Sequence, residues 1–426
     1  MISVSEATEI ILQHALSLPS EEMPLERCIG RVLREDLIAD RDFPPFDRVT
    51  MDGIAIDYQS WQNGTRSFKI QEVVAAGEAQ KKLKDPQQCI EIMTGAILPE
   101  GCDTIIRYED VKINNKIAEI QIQELTQGHN IHQRGSDRKR GAVVVPAGEP
   151  LSAAEIGVAA TIGKLVLKVA AVPKIALVST GDELVDIDAS PLPHQIRRSN
   201  VYQIKALLEK YKTPVKSFHL ADDPTIIEKT LRQILDEYDC VILSGGVSEG
   251  KYDYVPDALQ KLGVEKIFHR VSQRPGKPFW FGIKKNALRT EDRGLKTALR
   301  QAQGPGLRTE DWGLKTVVFA LPGNPVSSFM CTVRYVIPWL KASLGIYQED
   351  VFAMLAEPVT FRPALTYFLQ VLLEYRDDSS VFAIPVIGNG SGDLANLVNA
   401  DAFLELPEGK EQFADGEVFR VWGFRG

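Results

Sequence analysis

The sequence predicts a multidomain α/β protein whose centre is a doubly wound parallel sheet, accompanied by further β-rich parts. Three observations predict it. From Lys174 onward, short apolar strands alternate with helical segments: 175–178, 199–210, Val215–Leu220, 224–235 and 240–243. Such alternation gives a parallel sheet covered by helices on both faces, with ligands at the carboxyl ends of its strands. From about 60 to 140 the pattern is instead that of strands joined by short turns, and a second β-rich stretch follows about 350.

In chain order, Ser3 and Glu6 have capping-box spacing, and Val4, Ala7, Ile11, Ala15 and Leu18 line one face of a helix that Pro19 ends. A second apolar-patterned stretch, 25–37, is interrupted by Gly30. The prolines at 44 and 45 make 42–47 extended, since each restricts itself and its predecessor. Residues 51–57 read as a turn into a strand. Further strands are expected at Ser67–Val74, 88–93, 104–108, 111–113 and 117–122. Residues 141–172 return to the first module, with a helix capped by Ser152 and Glu155. After Pro338, strands at 368–375 and 381–386 and the glycine-rich turn 388–392 form a compact C-terminal β domain. The expected division is 1–45 with 141–172, 46–140, 173–345 and 346–426.

At 426 residues and 44% hydrophobic content, the chain can bury several cores. Its net charge of −8 argues against a general nucleic-acid or membrane-surface binder. The five cysteines are scattered without a Cys-x-x-Cys pair, which is neither a disulfide framework nor a zinc site and suits a reducing compartment. No stretch approaches the roughly 18 apolar residues of a membrane span, and no signal peptide is evident. The expectation is a soluble, cytoplasmic protein with no nucleic-acid or membrane partner.

Chemistry concentrates in three loops. The apolar run 240–243 breaks into Ser244-Gly245-Gly246-Val247-Ser248-Glu249-Gly250 ahead of a helix, an arrangement that turns backbone N–H groups toward an anion. Arg274 and Lys277 stand three apart on a proline-stiffened segment, and Leu321-Pro322-Gly323-Asn324-Pro325 precedes a helix at 326–336. The three together point to one anionic ligand at the strand ends. Asp182, Glu183, Asp222, Asp223 and Asp253 fall at or after strand ends, where hard oxygen donors could gather for a divalent cation. Asp222 and Asp223 also precede Pro224, a position that suits a helix cap. The histidines show no ligand spacing. Residues 288–297 recur as 307–316 between strands at 279–283 and 317–321, where a short hairpin would suffice. This 284–316 segment reads as an inserted surface loop without function.

Phrase by phrase the chain resembles one family, molybdopterin molybdenumtransferase, which is related to the E domain of gephyrin. The matching phrases are Pro45-Phe46-Asp47, Met51-Asp52-Gly53, Met93-Thr94-Gly95-Ala96, Pro99-Glu100-Gly101 and Arg134-Gly135-Ser136-Asp137. They continue with Ser179-Thr180-Gly181-Asp182-Glu183-Leu184, Ile196-Arg197-Arg198-Ser199-Asn200 and Asp222-Asp223-Pro224. Ser244 to Ser248, Asp253-Tyr254, Pro275-Gly276-Lys277-Pro278 and Leu321 to Pro325 complete the series in family order.

The resemblance implies a doubly wound molybdopterin-binding domain, an elongated N-terminal domain with a β-rich domain inserted in it, and a C-terminal β barrel. It implies a homodimer whose active site joins the doubly wound domain of one chain to N-terminal parts of the other. The implied reaction consumes adenylylated molybdopterin and molybdate, inserts the metal into the dithiolene and releases AMP with Mg²⁺. An upstream adenylyltransferase is the implied partner. On that reading Asp52, Asp137, Glu183 and Asp253 are catalytic. Thr94, Ser244, Gly245, Gly246, Ser248, Arg274, Lys277, Pro322 and Asn324 bind substrate, with Ser328 a further candidate for molybdate. Asp182, Glu183, Asp222, Asp223 and Asp253 hold the metal.

Departures from the family pattern are Glu249 in place of a small or apolar residue, Arg274 for lysine, and Ile54 for tyrosine. Two rival readings are the preceding adenylyltransferase, which shares the doubly wound domain but lacks the flanking modules, and a non-catalytic scaffold of the same fold.

Overall fold

The computed structural model describes residues 1–246, 254–285 and 315–425. Helix α1 (Val4–Gln13) carries the capping box: the Ser3 hydroxyl accepts from the Glu6 N–H, and the Glu6 carboxylate accepts from the Ser3 N–H at 2.7 Å. The helix stops at His14, short of Pro19. There the His14 carbonyl accepts from the Trp339 indole at 3.0 Å and the Leu16 N–H donates to Ser343 Oγ at 2.9 Å. These tertiary partners satisfy backbone groups that another helical turn would have used.

The chain divides into two compact units. One comprises Pro24–Ile29 and Glu35–Leu167. Its six-stranded sheet contains β1 (Gly53–Ile56), β2 (Ser67–Val74), β3 (Gln88–Ile92), β4 (Thr104–Arg107), β5 (Val111–Asn114) and β6 (Ile117–Ile120), in the order β4-β1-β3-β2-β6-β5. Strand β1 is buried on both faces: Ile54 and Ile56 pack with Phe68 and Ile106, and Ala55 with Ile90 and Ile105. A Cβ on Gly53 would lie 1.9 Å from the Ile106 carbonyl oxygen, so only glycine permits β1 to approach β4 here. Helix α2 (Ala153–Thr161) has the second capping box, Ser152 with Glu155. The apolar-patterned stretch 25–37 forms no long helix: it holds a 3₁₀ turn, Leu25–Arg27, an isolated bridge at Leu33 and, at Leu37, the start of a two-residue strand, Leu37–Ile38.

The other unit comprises Met1–Met23, Gly30–Arg34 and the chain from Lys168 on. In it follow β7 (Ile175–Thr180), α3 (Ser199–Glu209), β8 (Val215–Leu220), α4 (Pro224–Glu237), β9 (Cys240–Ser244), α5 (Val255–Lys261), β10 (Glu265–His269), β11 (Trp280–Lys285) and β12 (Lys315–Leu321). The sheet order is β8-β7-β9-β12-β11-β10. Strands β8, β7, β9 and β12 are parallel, while β11 runs antiparallel to both neighbours. The sheet is therefore mixed, because β11 pairs with β12 as a hairpin. Alternation along β7 splits the core: Ile175 and Leu177 join Ile204 and Leu208 of α3, while Ala176 and Val178 join Ile227 and Leu231 of α4.

After β12 come α6 (Pro325–Cys331), a π-helical turn Thr332–Val336, and α7 (Ile337–Leu344). The helical run passes Pro338, which follows directly on the π-helical turn, and Pro338, Trp339 and Leu340 are buried there. The C-terminal strands are β13 (Val351–Leu355), β14 (Thr366–Tyr375), β15 (Val381–Pro385), β16 (Ala402–Leu406) and β17 (Val418–Gly423). They close as β14-β15-β13-β17-β16-β14, a five-stranded barrel filled by Leu369, Val371, Leu404 and Phe413. Closure leaves no open edge.

Phe319 of β12 is fully buried, with ring centroids 5.1 Å from Phe281 and 5.4 Å from Trp339. Phe319→Ala is expected to destabilise this unit by about 3–5 kcal/mol, measured as a lower urea midpoint by tryptophan fluorescence.

Candidate active site

The chain leaves β7 to form β8 on one side of it and returns to form β9 on the other, so a crevice opens at the carboxyl ends of β7 and β9. Such a reversal is where open α/β sheets bind ligands. Register brings a third loop level with the first two: Ser179 pairs with Ser244, and Ser244 with Leu321. The Gly245 N–H donates to the Leu321 carbonyl at 3.2 Å, and Gly245 and Gly246 have φ of 91° and 70°. Buried Pro322 leads into exposed Gly323 and Asn324.

Side-chain amides tie these loops together. Asn200 Nδ2, at the start of α3, donates to Ser244 Oγ at 2.9 Å and to the Gly323 carbonyl at 2.8 Å. Gln203 Nε2 donates to the Pro325 carbonyl at 2.9 Å. Asn324 Nδ2 donates to Ser391 Oγ at 2.9 Å, and the Ser391 carbonyl accepts from the Val326 N–H at 3.1 Å. The turn 388–392 thus reaches this rim from the barrel. Neither Gln203 nor Ser391 was singled out from sequence, and Asn200 only as part of a phrase. The glycine-rich composition around Ser391 was the available signal. Ser328 is fully buried, its hydroxyl donating to the Pro325 carbonyl at 3.0 Å.

Two of the acidic residues adjoin through one backbone hydrogen bond. The Asp222 N–H donates to Asp182 Oδ1 at 3.2 Å, and both residues are exposed at the ends of β8 and β7. Glu183 folds back so that a Cβ on Gly181 would lie 2.4 Å from its Oε2. Asp223 is the N-cap of α4, its Oδ1 accepting from the Thr225 and Ile226 N–H groups at 2.8 and 3.0 Å. Among the described residues no three His, Cys, Asp or Glu side chains gather to hold a metal ion. Ser248, Glu249 and Asp253 lie outside the described residues, as does nearly all of the 284–316 segment.

Arg274 and Lys277 are exposed on a loop braced against α6, and the Arg274 guanidinium lies 6.0 Å from the Phe361 ring centroid. In the other unit, Asp52 and Thr94 stand together: the Thr94 N–H donates to Asp52 Oδ1 at 2.6 Å. That backbone hydrogen bond, aided by the Thr94 hydroxyl, holds the Asp52 carboxyl below the ordinary aspartate range. Asp137 Oδ1 meets His132 Nε2 at 2.8 Å, and His132 Nδ1 meets Arg48 Nη2 at 3.1 Å. The arrangement in the crevice suits an extended anion held by backbone and amide donors, with carboxylates at one end.

Comparison with known proteins agrees along the whole chain. Residues 2–163 match the MoeA N-terminal region (domain I and II), 176–342 a probable molybdopterin binding domain, and 353–424 the MoeA C-terminal region (domain IV). A molybdopterin molybdenumtransferase of Synechocystis sp. is 38% identical, covering 100% of both chains. Another from Staphylococcus aureus is 29% identical over 99% of this chain and 95% of its own. Two crystal structures of the molybdopterin biosynthesis MoeA protein of Pyrococcus horikoshii are similar in fold. They are 27% and 25% identical, with TM-scores of 0.78 and 0.77, and cover at least 99% of both chains. No helix of the described residues is long and apolar enough to cross a membrane.

Asp223→Ala is expected to cost about 1 kcal/mol of stability and Asp223→Asn almost none, since asparagine caps equally well. Urea unfolding of both variants checks this. Asp52, with its lowered pKa, contributes its hydrogen bond to stability above the usual aspartate range and loses it as pH falls through the folded-state value. The stability difference between wild type and Asp52→Ala is therefore expected at neutral pH and to vanish in acid, measured by urea midpoints across pH.

Proposed function

We propose how the reaction runs on this chain, which belongs to the molybdopterin molybdenumtransferase family and catalyses the final step of molybdenum cofactor biosynthesis. The substrates are adenylylated molybdopterin and molybdate. Water adds across the phosphoanhydride between the pterin phosphate and the nucleotide, so that AMP leaves; molybdate bonds to the two dithiolene sulfurs as one oxo group departs as water with the two thiol protons, with no change of oxidation state. The observation that carries this reading is the convergence of the loops after β9 and β12, bridged by Asn200, at the strand ends where an extended anion would lie.

Gly246 and Ser248 offer backbone N–H groups, and Ser244, Ser248 and Asn324 side-chain donors, to the pyrophosphate, while Gly245, whose N–H is held by Leu321, and Pro322, which has none, shape the cradle. Arg274 and Lys277 supply the compensating charge. Molybdate, a tetrahedral dianion, calls for the same donor types. Asp182 and Glu183 face the phosphoryl group from β7, joined by Asp222, Asp223 and Asp253. Magnesium is ordinarily held by one or two carboxylates together with substrate phosphates; exposed Asp182, whose Oδ1 also accepts from the Asp222 N–H, would be one ligand and Asp222 a second. Bound there, it would polarise phosphoryl oxygens and lower the pKa of a water. Asp223 keeps only one oxygen free of its capping role. In a homodimer, the Asp52–Thr94 pair and Asp137 are supplied by the second subunit. The enzyme is cytoplasmic and takes its substrate from an adenylyltransferase.

The test is molybdate-dependent AMP release from adenylylated molybdopterin with Mg²⁺ and purified protein. Asp182→Ala and Asp52→Ala are each expected to lower it about 10²-fold or more, and Asn200→Ala about tenfold. Consumption of ATP with molybdopterin would point to the adenylyltransferase instead. A folded dimer that binds the substrate but releases no AMP would point to a scaffold.

A further inference from the structure

The loop that bears Arg274 and Lys277 rests on a buried polar network with no part in the chemistry described above. Gln273 is 0% exposed and Tyr335 1%. Gln273 Oε1 accepts from the Tyr335 hydroxyl, and its Nε2 donates to the Gly276 carbonyl at 2.9 Å. Gly276 has a φ of 90°, and a Cβ there would lie 2.7 Å from Cys331 Sγ. The loop is thus pressed onto the helix with no room for a side chain. Tyr335 stands on the π-helical turn Thr332–Val336, its ring 4.9 Å from that of Phe279. Such turns insert a residue into a helix and recur at functional sites. An apolar pair of similar volume would fill this space without desolvating an amide and a phenol. The hydrogen bonds supply orientation instead: one side chain joins the helix to the backbone carbonyl between Arg274 and Lys277. Burial also pushes the Tyr335 phenol well above its ordinary pKa.

We propose that Tyr335 and Gln273 are positioning residues that hold the 273–277 backbone so that Arg274 and Lys277 meet the substrate's phosphates at a set separation. This rests on the anion-binding role given to the loop above. Neither residue touches substrate.

Three variants test it: Lys277→Ala, Tyr335→Phe, and Tyr335→Phe with Gln273→Met, which removes the polar pair and keeps the volume. In the AMP-release assay both network variants are expected to raise KM for adenylylated molybdopterin about tenfold with kcat within about twofold, the signature of lost uniform binding. A merely structural role would lower the active fraction, and with it kcat, and leave KM unchanged. If Lys277→Ala raises KM while both folded network variants keep the wild-type value, the positioning role is overturned and the loop's binding role stands. If Lys277→Ala itself leaves KM unchanged, the binding role falls and the positioning role with it. Should the double variant not fold, Tyr335→Phe, which removes a single oxygen atom, decides the question alone.

Discussion

Three buried parallel strands paired in register, with Ser179 beside Ser244 and Ser244 beside Leu321, carry the loops that follow them to the same edge of the sheet. A shift of one residue in either pair would exchange the two faces of a strand and move its apolar side chains out of their core. Ile175 and Leu177 face one helical layer and Ala176 and Val178 the other, so both layers oppose such a shift. The crevice is therefore positioned by burial on both faces of the sheet, and its loops inherit that position without contributing to it.

What holds the loops to one another is polar. Asn200 bridges two of them, and Asn324 binds the barrel turn at Ser391. The barrel is itself fastened to the helical run after β12: buried Arg334 pairs with Glu405 at 3.0 Å and lies 4.2 Å from the Trp422 ring. Glu405 also accepts from the Trp422 indole at 2.6 Å. A charged pair at such a depth is a weak source of stability, since its desolvation offsets much of the attraction. Its geometry is directional, however, and direction is what a multi-loop rim requires. The same contrast holds at Gln273 and Tyr335, where hydrogen bonds orient what apolar packing would merely fill.

Electrostatics follows the same division. The chain carries a net charge of −8, yet two cations stand on the 273–278 loop and the Asp182–Asp222 pair stands at the strand ends. Local arrangement, not net charge, sets the potential that a ligand would meet at such a rim. At Asp52, a hydrogen bond from a backbone N–H, aided by the Thr94 hydroxyl, lowers the carboxyl pKa and leaves an exposed charged group.

Much of the fold was legible because it rests on local rules. Both capping boxes, the strands of the doubly wound sheet and the glycine and proline loops follow from residue type and spacing within a few positions. The family phrases marked the candidate site residues in the same way, each within a short run of the chain. The end of α1 at His14, the helical run past Pro338 and the single turn at 25–27 were not legible. Each depends on partners hundreds of residues away or on packing that no local pattern encodes. Asn200, Ser391 and the Gln273–Tyr335 contact belong to that second class. An isolated amide, hydroxyl or phenol has no periodicity, and its role exists only once strands, helix and barrel are in place. By itself the sequence determined which segments become strands, helices and glycine- or proline-rich loops, since burial and backbone preference act over short range. The tertiary structure alone decided which of those loops meet and which side chains lock them, because hydrogen bonds between distant residues form only where the folded core has already brought them together.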